Sequence, residues 1–480
     1  MSRPTELARS GSMGSSSASG SAPTVVVVGA GITGLVTARE LAAQGVRVIV
    51  LERAPTVGGQ LAEATVGGHR IDVGAESVFT AAPGPLALIE ELGLAERVVP
   101  ANEATTWIST ERGLRPLPAG FTPAGPTRLA PVMRSRVLSL RGMLRAGMEP
   151  LVPRARTEGD QDLAVGHYLE RRFGSEVTDR LVDPLLGGLH AGDVRTLSLH
   201  AATPQLATLA ARHRSLLLRR RPAPRSGPAF VTLTSGMRSL AEALATSLTR
   251  VEIQLNTGVE HVERRGGGLA VITKDGATHR VDGVVLATSA RAAAALLTDG
   301  SPDAAGAVGA LRAASVTVAG LAYPRAAATV PAIANGTGIL VPSDRGLLLK
   351  AATFLSTKWP HHADDEVVLI RASAGRAGDD RAISLDDHEL VARLHADLCA
   401  ETGLSVEPID ATVQRWPATM PQLEVGHLDR LEAITTALDR DLPGVHVAGA
   451  PYHGPGLASC LRSATSAAAH LVAVLEERPR

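Results

Sequence analysis

Lysine is nearly absent from this 480-residue chain: only Lys274, Lys350 and Lys358 occur, so arginine carries almost all the positive charge. Aromatic residues are 2% of the sequence, which leaves an aromatic-lined site few residues to build from. Two cysteines, Cys399 and Cys460, are too few for a disulfide framework or a cysteine-rich zinc site, and they fit a reducing compartment. The formal net charge is zero, so no global field points to nucleic acid. No run of 18 apolar residues is present, which argues against a transmembrane helix. The first 23 residues, including "SGSMGSSSASGSAP", are rich in serine and glycine and lack an apolar core. They read as a disordered tail rather than a signal peptide. A cytoplasmic protein is expected.

What the chain does have is ample core material, with 45% hydrophobic and 20% charged residues. Its length predicts two or three domains. From Thr24 the pattern sharpens. "TVVVV" reads as a β-branched strand buried on both faces, and "GAGITG" follows with Gly29, Gly31 and Gly34 at G-x-G-x-x-G spacing. "LVTARELAAQG" then reads as a helix, and "VRVIVLE" as a second buried strand ending at Glu52. In this context Gly29 turns the chain, Gly31 admits a pyrophosphate to the backbone, and Gly34 lets helix pack on strand. The helix N-terminus, from Ala30 through Ile32 and Thr33, would face the phosphates, with Glu52 on ribose hydroxyls.

The continuation separates the two dinucleotides that share this fingerprint. "ERAPTVGGQ" carries Arg53, Gly58, Gly59 and Gln60, and "HRIDVGAES" carries Gly74, Ala75, Glu76 and Ser77. These stretches resemble the FAD-binding proteins of the amine oxidase and protoporphyrinogen oxidase superfamily. The resemblance implies FAD, with the first stretch along the dinucleotide and the Gly74–Ser77 loop near the flavin ring. Near the other end, "HVAGAPYHGPGLASC" runs from His446 to Cys460, ahead of an alanine-rich helix. By the same resemblance the chain here returns to its first domain, and Gly449, Ala450, Pro455, Gly456 and Leu457 meet the flavin. The helix would then aim its positive end at the ring. Val259 and Trp416 complete the cofactor residues that the resemblance implies.

A longer succession narrows the family. "RGLRPLPAG", "LVDPLLGGLHAGDVRTLSLHAATPQL", "PAFVTLTSGMRSLAEAL", "TFLSTKWP" and "RWPATMPQLEVGH" follow in order. Together with both glycine motifs, residues 24–476 resemble the oxygen-dependent protoporphyrinogen and coproporphyrinogen oxidases of haem synthesis. That resemblance implies an α/β fold: a discontinuous Rossmann-like FAD-binding domain, a mixed-sheet substrate domain and an inserted helical domain. The expected pieces are a tail over 1–23, FAD-binding segments over 24–120, 228–302 and 431–480, a helical domain over 121–227 and a substrate domain over 303–430. The implied partners are a porphyrinogen and molecular oxygen. The implied reaction is a six-electron aromatisation releasing hydrogen peroxide, in a monomer or homodimer. No metal is expected, and no catalytic residue emerges.

Departures from the family pattern keep alternatives in view. The C-terminal motif is altered over Gly456–Ala464, and Thr105, Thr106 and Trp107 stand where many relatives carry a carboxylate-binding arginine. Residues 128–156 hold seven arginines and one acid, and residues 212–225 hold six arginines and none. Met133, Val137, Leu140 and Leu144 are spaced for a helix with one buried face. The arginines fit a solvated face, a polycarboxylate substrate, or an anionic membrane touched peripherally. Coproporphyrinogen, with four propionates, is favoured over protoporphyrinogen with two. The rivals are a flavin amine oxidase, for which Tyr452 stands near an aromatic-wall position, a carotenoid desaturase, and a flavin-binding protein without turnover.

Overall fold

The computed structural model describes residues 22–122, 125–126, 128–153, 162–218 and 227–477. The Ser/Gly-rich stretch through residue 21 lies outside the described residues, as do Arg154, Arg156, Arg219, Arg220, Arg221 and Arg225.

Five parallel strands form the first sheet, in the spatial order Val251–Gln254, Arg47–Leu51, Thr24–Val28, Gly283–Leu286 and Val445–Val447. The valine run lacks alternation because both faces of this sheet are covered. Val25 and Val27 enter one core with the helices Ile32–Ala43, Arg238–Ser247 and Leu457–Glu477. Val26 and Val28 enter a second core with Ala290–Leu297, Pro302–Gly309 and His427–Asp441. By length and composition the C-terminal helix could cross a membrane. Here its Ala464, Ala467, Ala468 and Leu471 are buried in the first of these cores. Small residues on that face let it lie close to the helix that follows the first strand.

A seven-stranded mixed sheet runs Asp410–Pro421, Ala313–Pro324, Val367–Ala374, Leu349–Phe354, Gly336–Leu340, Thr105–Ile108 and Arg115–Pro116. Only the pairing of Gly336–Leu340 with Thr105–Ile108 is parallel. One face packs on helix Asp387–Thr402 through Ile370, Leu390, Leu394 and Leu398. The other, with Val316, Val318 and Leu369, packs on Val66, Ile71 and Val73 of the hairpin region that follows the second strand. Sheet membership therefore sets where the chain changes domain. The stretch 24–120 already enters this second sheet at Thr105. Helix Pro302–Gly309 stays in the nucleotide core, and helix His427–Asp441 belongs to that core as a whole although the expected boundary at 430 cuts it.

The insertion between these parts is helical and has its own core, with Val132, Tyr168, Leu169, Phe173, Leu181 and Leu206. Ten of its residues, Thr178–Gly187, are wound as a π-helix around Pro184. The expected helix with one buried apolar face is corrected here. Arg136 adopts a left-handed conformation (φ 56°) and splits the segment into Leu129–Ser135 and Leu140–Gly147. Val137 is buried, but Met133, Leu140 and Leu144 are 60%, 78% and 65% exposed. The second helix turns its small residues inward: a Cβ on Gly142 would lie 2.5 Å from the Glu176 carboxylate. Its leucines are left facing outward.

One carboxylate joins the two sheets. Glu76 follows the hairpin of the nucleotide part. Its Oε1 accepts from Lys358 Nζ at 2.5 Å, and its Oε2 from Arg371 Nη1 at 3.2 Å. Arg371 Nη2 also donates to the Gly74 carbonyl at 2.8 Å. Burial alone would raise the Glu76 pKa; the two cations override it and hold it at about 2. A depressed folded pKa gives stability that is present above the ordinary carboxylate range and is lost as pH falls through about 2. Glu76→Gln is therefore expected to cost about 3–5 kcal/mol near neutral pH, because it strands two buried cations. In thermal melts, the gap to the wild type should narrow between roughly pH 4.5 and 2. A gap independent of pH would show that the ion pairs do not hold the domains.

Candidate active site

The site is assembled at the carboxyl ends of the parallel strands. Strand Thr24–Val28 delivers Gly29 at φ 104°, and Gly31 caps helix Ile32–Ala43 with no side chain on its first amides. Those amides are unfilled donors at the positive end of a helix. Glu52, at the end of the second strand, is gripped from both sides: Ala30 N donates to its Oε2 at 2.7 Å and Ala54 N to its Oε1 at 2.8 Å. Each oxygen keeps acceptor capacity for a further hydroxyl.

Later segments wrap around this turn. Gly58 N donates to the Ala30 carbonyl at 2.9 Å, and Gly31 bridges Gly58. Arg53 and Gln60 are exposed beside it. Thr257 N donates to the Glu52 carbonyl at 2.8 Å, which seats Val259 next to the acid's loop. Gln60 supports the next loop: its carbonyl accepts from Ala75 N at 3.2 Å, and a Cβ on Gly74 would fall 1.8 Å from it. Trp416 Nε1 donates to the Val73 carbonyl at 2.9 Å, so this tryptophan anchors the Gly74–Ser77 loop from the second sheet. The C-terminal motif closes the ring. Gly449 N donates to Ser463 Oγ at 2.8 Å, whose hydroxyl faces His453 Nδ1 at 3.0 Å. Ala450 and Pro455 are half-buried, and Leu457 opens the long helix just after Gly456. A Cβ on Gly449 would come 3.6 Å from Thr33 Oγ1, which puts both glycine motifs side by side. Cys460 is half-buried at the start of that long helix, and burial raises its thiol pKa.

The glycines divide into two kinds, and the division tests whether a dinucleotide fits. A Cβ on Gly34 would lie 1.9 Å from the Gly29 carbonyl oxygen, and one on Gly29 2.8 Å from that of Ala287. Those two are demanded by protein packing. A Cβ on Gly31 would find only Gly59 Cα, at 4.0 Å, and one on Gly456 nothing within 4 Å. Gly31 also has an ordinary backbone (φ −70°), so neither packing nor conformation requires glycine there. Its missing side chain opens onto the bare helix terminus, the place for a diphosphate. The residues present thus fit FAD.

Other expectations fare differently. Glu76 has one oxygen on Lys358 and the other on Arg371, so its carboxylate acts as a tie between domains. Ser77 lies half-buried in the same loop. Tyr452 is 2% exposed within the second nucleotide core, and its hydroxyl has no partner among the described residues. It cannot form an aromatic wall. Sequence reasoning missed Lys358, Arg371, Asp72 and Ser463. Burial raises the Asp72 pKa to about 7, and its carboxyl accepts from Met237 N at 3.0 Å. The rarity of lysine was the available signal, since two of the three fall in the second-sheet part.

A family profile described as flavin containing amine oxidoreductase matches residues 32–472. The chain is similar to the coproporphyrinogen III oxidase of Bacillus subtilis, 31% identical over 91% of this chain and 95% of the relative. The enzyme of that name from Propionibacterium freudenreichii is 32% identical over 93% and 90%. The chloroplastic protoporphyrinogen oxidase 1 of Arabidopsis thaliana is 26% identical over 92% and 86%. Among solved structures, an Exiguobacterium protein assigned as a protoporphyrinogen oxidase aligns with TM-score 0.84 and 28% identity, over 95% of this chain and 100% of that one. A putrescine oxidase variant aligns at TM-score 0.68 and 16% identity, over 94% and 99%, and shares the fold.

Substitutions at the two kinds of glycine should separate. Gly31→Val is expected to keep the wild-type circular dichroism while losing flavin absorbance, whereas Gly34→Val should fail to accumulate as folded protein. Full flavin content in the first variant would sink the assignment of this cradle.

Proposed function

Because the chain belongs to the flavin-containing amine oxidoreductase family and is an FAD-dependent oxidoreductase, we propose that it oxidises coproporphyrinogen III to coproporphyrin III in haem synthesis. Six hydrogens leave the macrocycle, and three molecules of oxygen become three of hydrogen peroxide. The observation that carries this reading is near-full-length similarity to relatives of that name, above 30% identity. Protoporphyrinogen IX is the alternative substrate, supported by the more distant plant relative.

Bound FAD would supply the two-electron acceptor chemistry. The chain's own residues bind, orient and exclude. The amides at Gly31–Thr33 would hold the diphosphate, and Glu52 the ribose. The first turn of helix Leu457–Glu477 would favour negative charge at the far end. Glu76 is locked as a carboxylate between two cations, so it is no proton acceptor for the substrate. Arrangement rather than a strong base carries the rate, as suits a reaction driven by gained conjugation. Burial of Tyr452 counts against an amine oxidase with an aromatic cage.

We also place the protein in the cytoplasm, touching membranes through the helical insertion. Exposed Met133, Leu140, Leu144, Met148 and Leu151 lie on the same stretch as Arg134, Arg141 and Arg145, a composition suited to an anionic surface.

Anaerobic mixing with coproporphyrinogen III is expected to bleach the flavin band near ~450 nm, with porphyrin and peroxide appearing once air is admitted. Faster bleaching by protoporphyrinogen IX would move the assignment to the alternative, and bleaching by neither would overturn porphyrinogen oxidation. Sedimentation with phosphatidylglycerol vesicles should pull down the wild type and spare Leu140→Glu/Leu144→Glu. Equal pull-down of both would remove the membrane contact.

A further inference from the structure

The substrate needs a partner for its acidic side chains, and the residues at the expected arginine position, Thr105 to Trp107, carry no charge. A different set of cations lies on the second sheet. Strand Leu349–Phe354 pairs with Val367–Ala374, but the register slips between Leu349, opposite Ala374, and Ala351, opposite Ser373. Lys350 is the extra residue of that bulge. Bulges re-aim side chains, and here the ammonium falls within electrostatic reach of Arg371 and Arg376, with Lys350 only 6% exposed. Among the described residues no carboxylate pairs with it.

Its neighbours are also underused. Arg376 donates one nitrogen to the Val341 carbonyl, but its Nη1 is buried without a partner. Arg371 spends both terminal nitrogens on Glu76 and the Gly74 carbonyl, and its Nε is buried without a partner. Asp183, Asp379 and Asp344 lie within electrostatic reach of Arg376, but none forms an ion pair with it among the described residues. Asp183 accepts from Ser343 N at 2.8 Å, Asp379 is paired with Arg381, and Glu76 is shared with Lys358. The helical insertion reaches the same place: Ala377 N donates to the Ala191 carbonyl at 2.7 Å, and Gln422 Nε2 to that of His190 at 2.8 Å. Here too polar atoms are stranded, His190 Nδ1 and Gln422 Oε1.

Buried cations without a directly paired carboxylate are costly, and an incoming anion relieves that cost. We propose that Lys350 and Arg376 form the anchor for one propionate carboxylate of the substrate. Arg371 links the anchor to the Gly74–Ser77 loop through Gly74 and Glu76. A macrocycle held there by its acid lies against the loop that borders the cofactor. Repulsion from both arginines and burial bring the Lys350 pKa down to about 7, burial being the larger cause. An arriving carboxylate would restore the charged form. This assignment rests on the porphyrinogen reading above.

The test is fluorescence titration of the FAD-loaded protein with coproporphyrin III and with its tetramethyl ester. The wild type is expected to prefer the free acid. Lys350→Met should weaken free-acid binding by at least about tenfold and leave the ester unchanged, with Lys350→Arg close to the wild type. Should Lys350→Met not fold, Arg376→Gln gives the same comparison. Free-acid affinity unchanged in a folded Lys350→Met or Arg376→Gln protein overturns the anchor alone. A wild type that neither binds coproporphyrin III nor is bleached by its porphyrinogen overturns the anchor and the proposed function together.

Discussion

A buried carboxylate in this fold must find cations, and Glu76 finds Arg371 on the second sheet and Lys358 on the short helix after one of its strands. The rest of the molecule is arranged around that requirement. The acid comes from the nucleotide part and both partners from the other side, so satisfying the charge fixes the relation of the two sheets. It also fixes the loop that carries it, because Arg371 holds the Gly74 carbonyl while Trp416 holds that of Val73. The cofactor and the substrate would meet across this loop. Positioning is thus built into the same contacts that hold the domains together.

Glycine does two jobs here, and the distinction carries much of the functional reading. At Gly29, Gly34 and Gly74 the backbone of one segment presses on another, and any side chain would strike a carbonyl oxygen. At Gly31 the missing side chain faces no protein atom closer than 4.0 Å and the backbone is ordinary, at the start of a helix; Gly456 has equal space but takes φ 99°, which itself favours glycine. The first kind lets chain segments pass close to one another; the second leaves a helix start bare. The bare start of helix Ile32–Ala43 lies beside the C-terminal glycine motif, through Thr33 and Gly449, a surface suited to a long anionic ligand.

Positive charge is distributed with similar economy. Arginines of the helical insertion accompany outward-facing leucines and methionines, where hydration keeps them inexpensive. Lys350, Lys358, Arg371 and Arg376 instead sit where solvent is scarce. Of these four, only Lys358 and Arg371 form an ion pair with an acid among the described residues, so Lys350 and Arg376 keep donors for a ligand. Such uncompensated charge is tolerated because the surrounding packing is extensive, and it is a common mark of a site.

Local signals were enough for the nucleotide half. An apolar run without alternation, three glycines at fixed spacing and an acid at the next strand's end are consequences of short-range geometry: a tight turn, a helix start and a parallel neighbour. The sequence by itself therefore determined the dinucleotide cradle, the order of the segments and the family they belong to. It could not decide which way the helix Leu140–Gly147 faces, because spacing defines an apolar stripe but not what lies opposite it; Glu176 decided that by leaving room only for Gly142. Nor could it show Glu76 as a tie between domains, or bring Lys350 to Arg376. Those depend on pairings between residues far apart in the chain and on a one-residue slip in register. Charge burial is a property of neighbours in space, and only the tertiary structure supplies the neighbours.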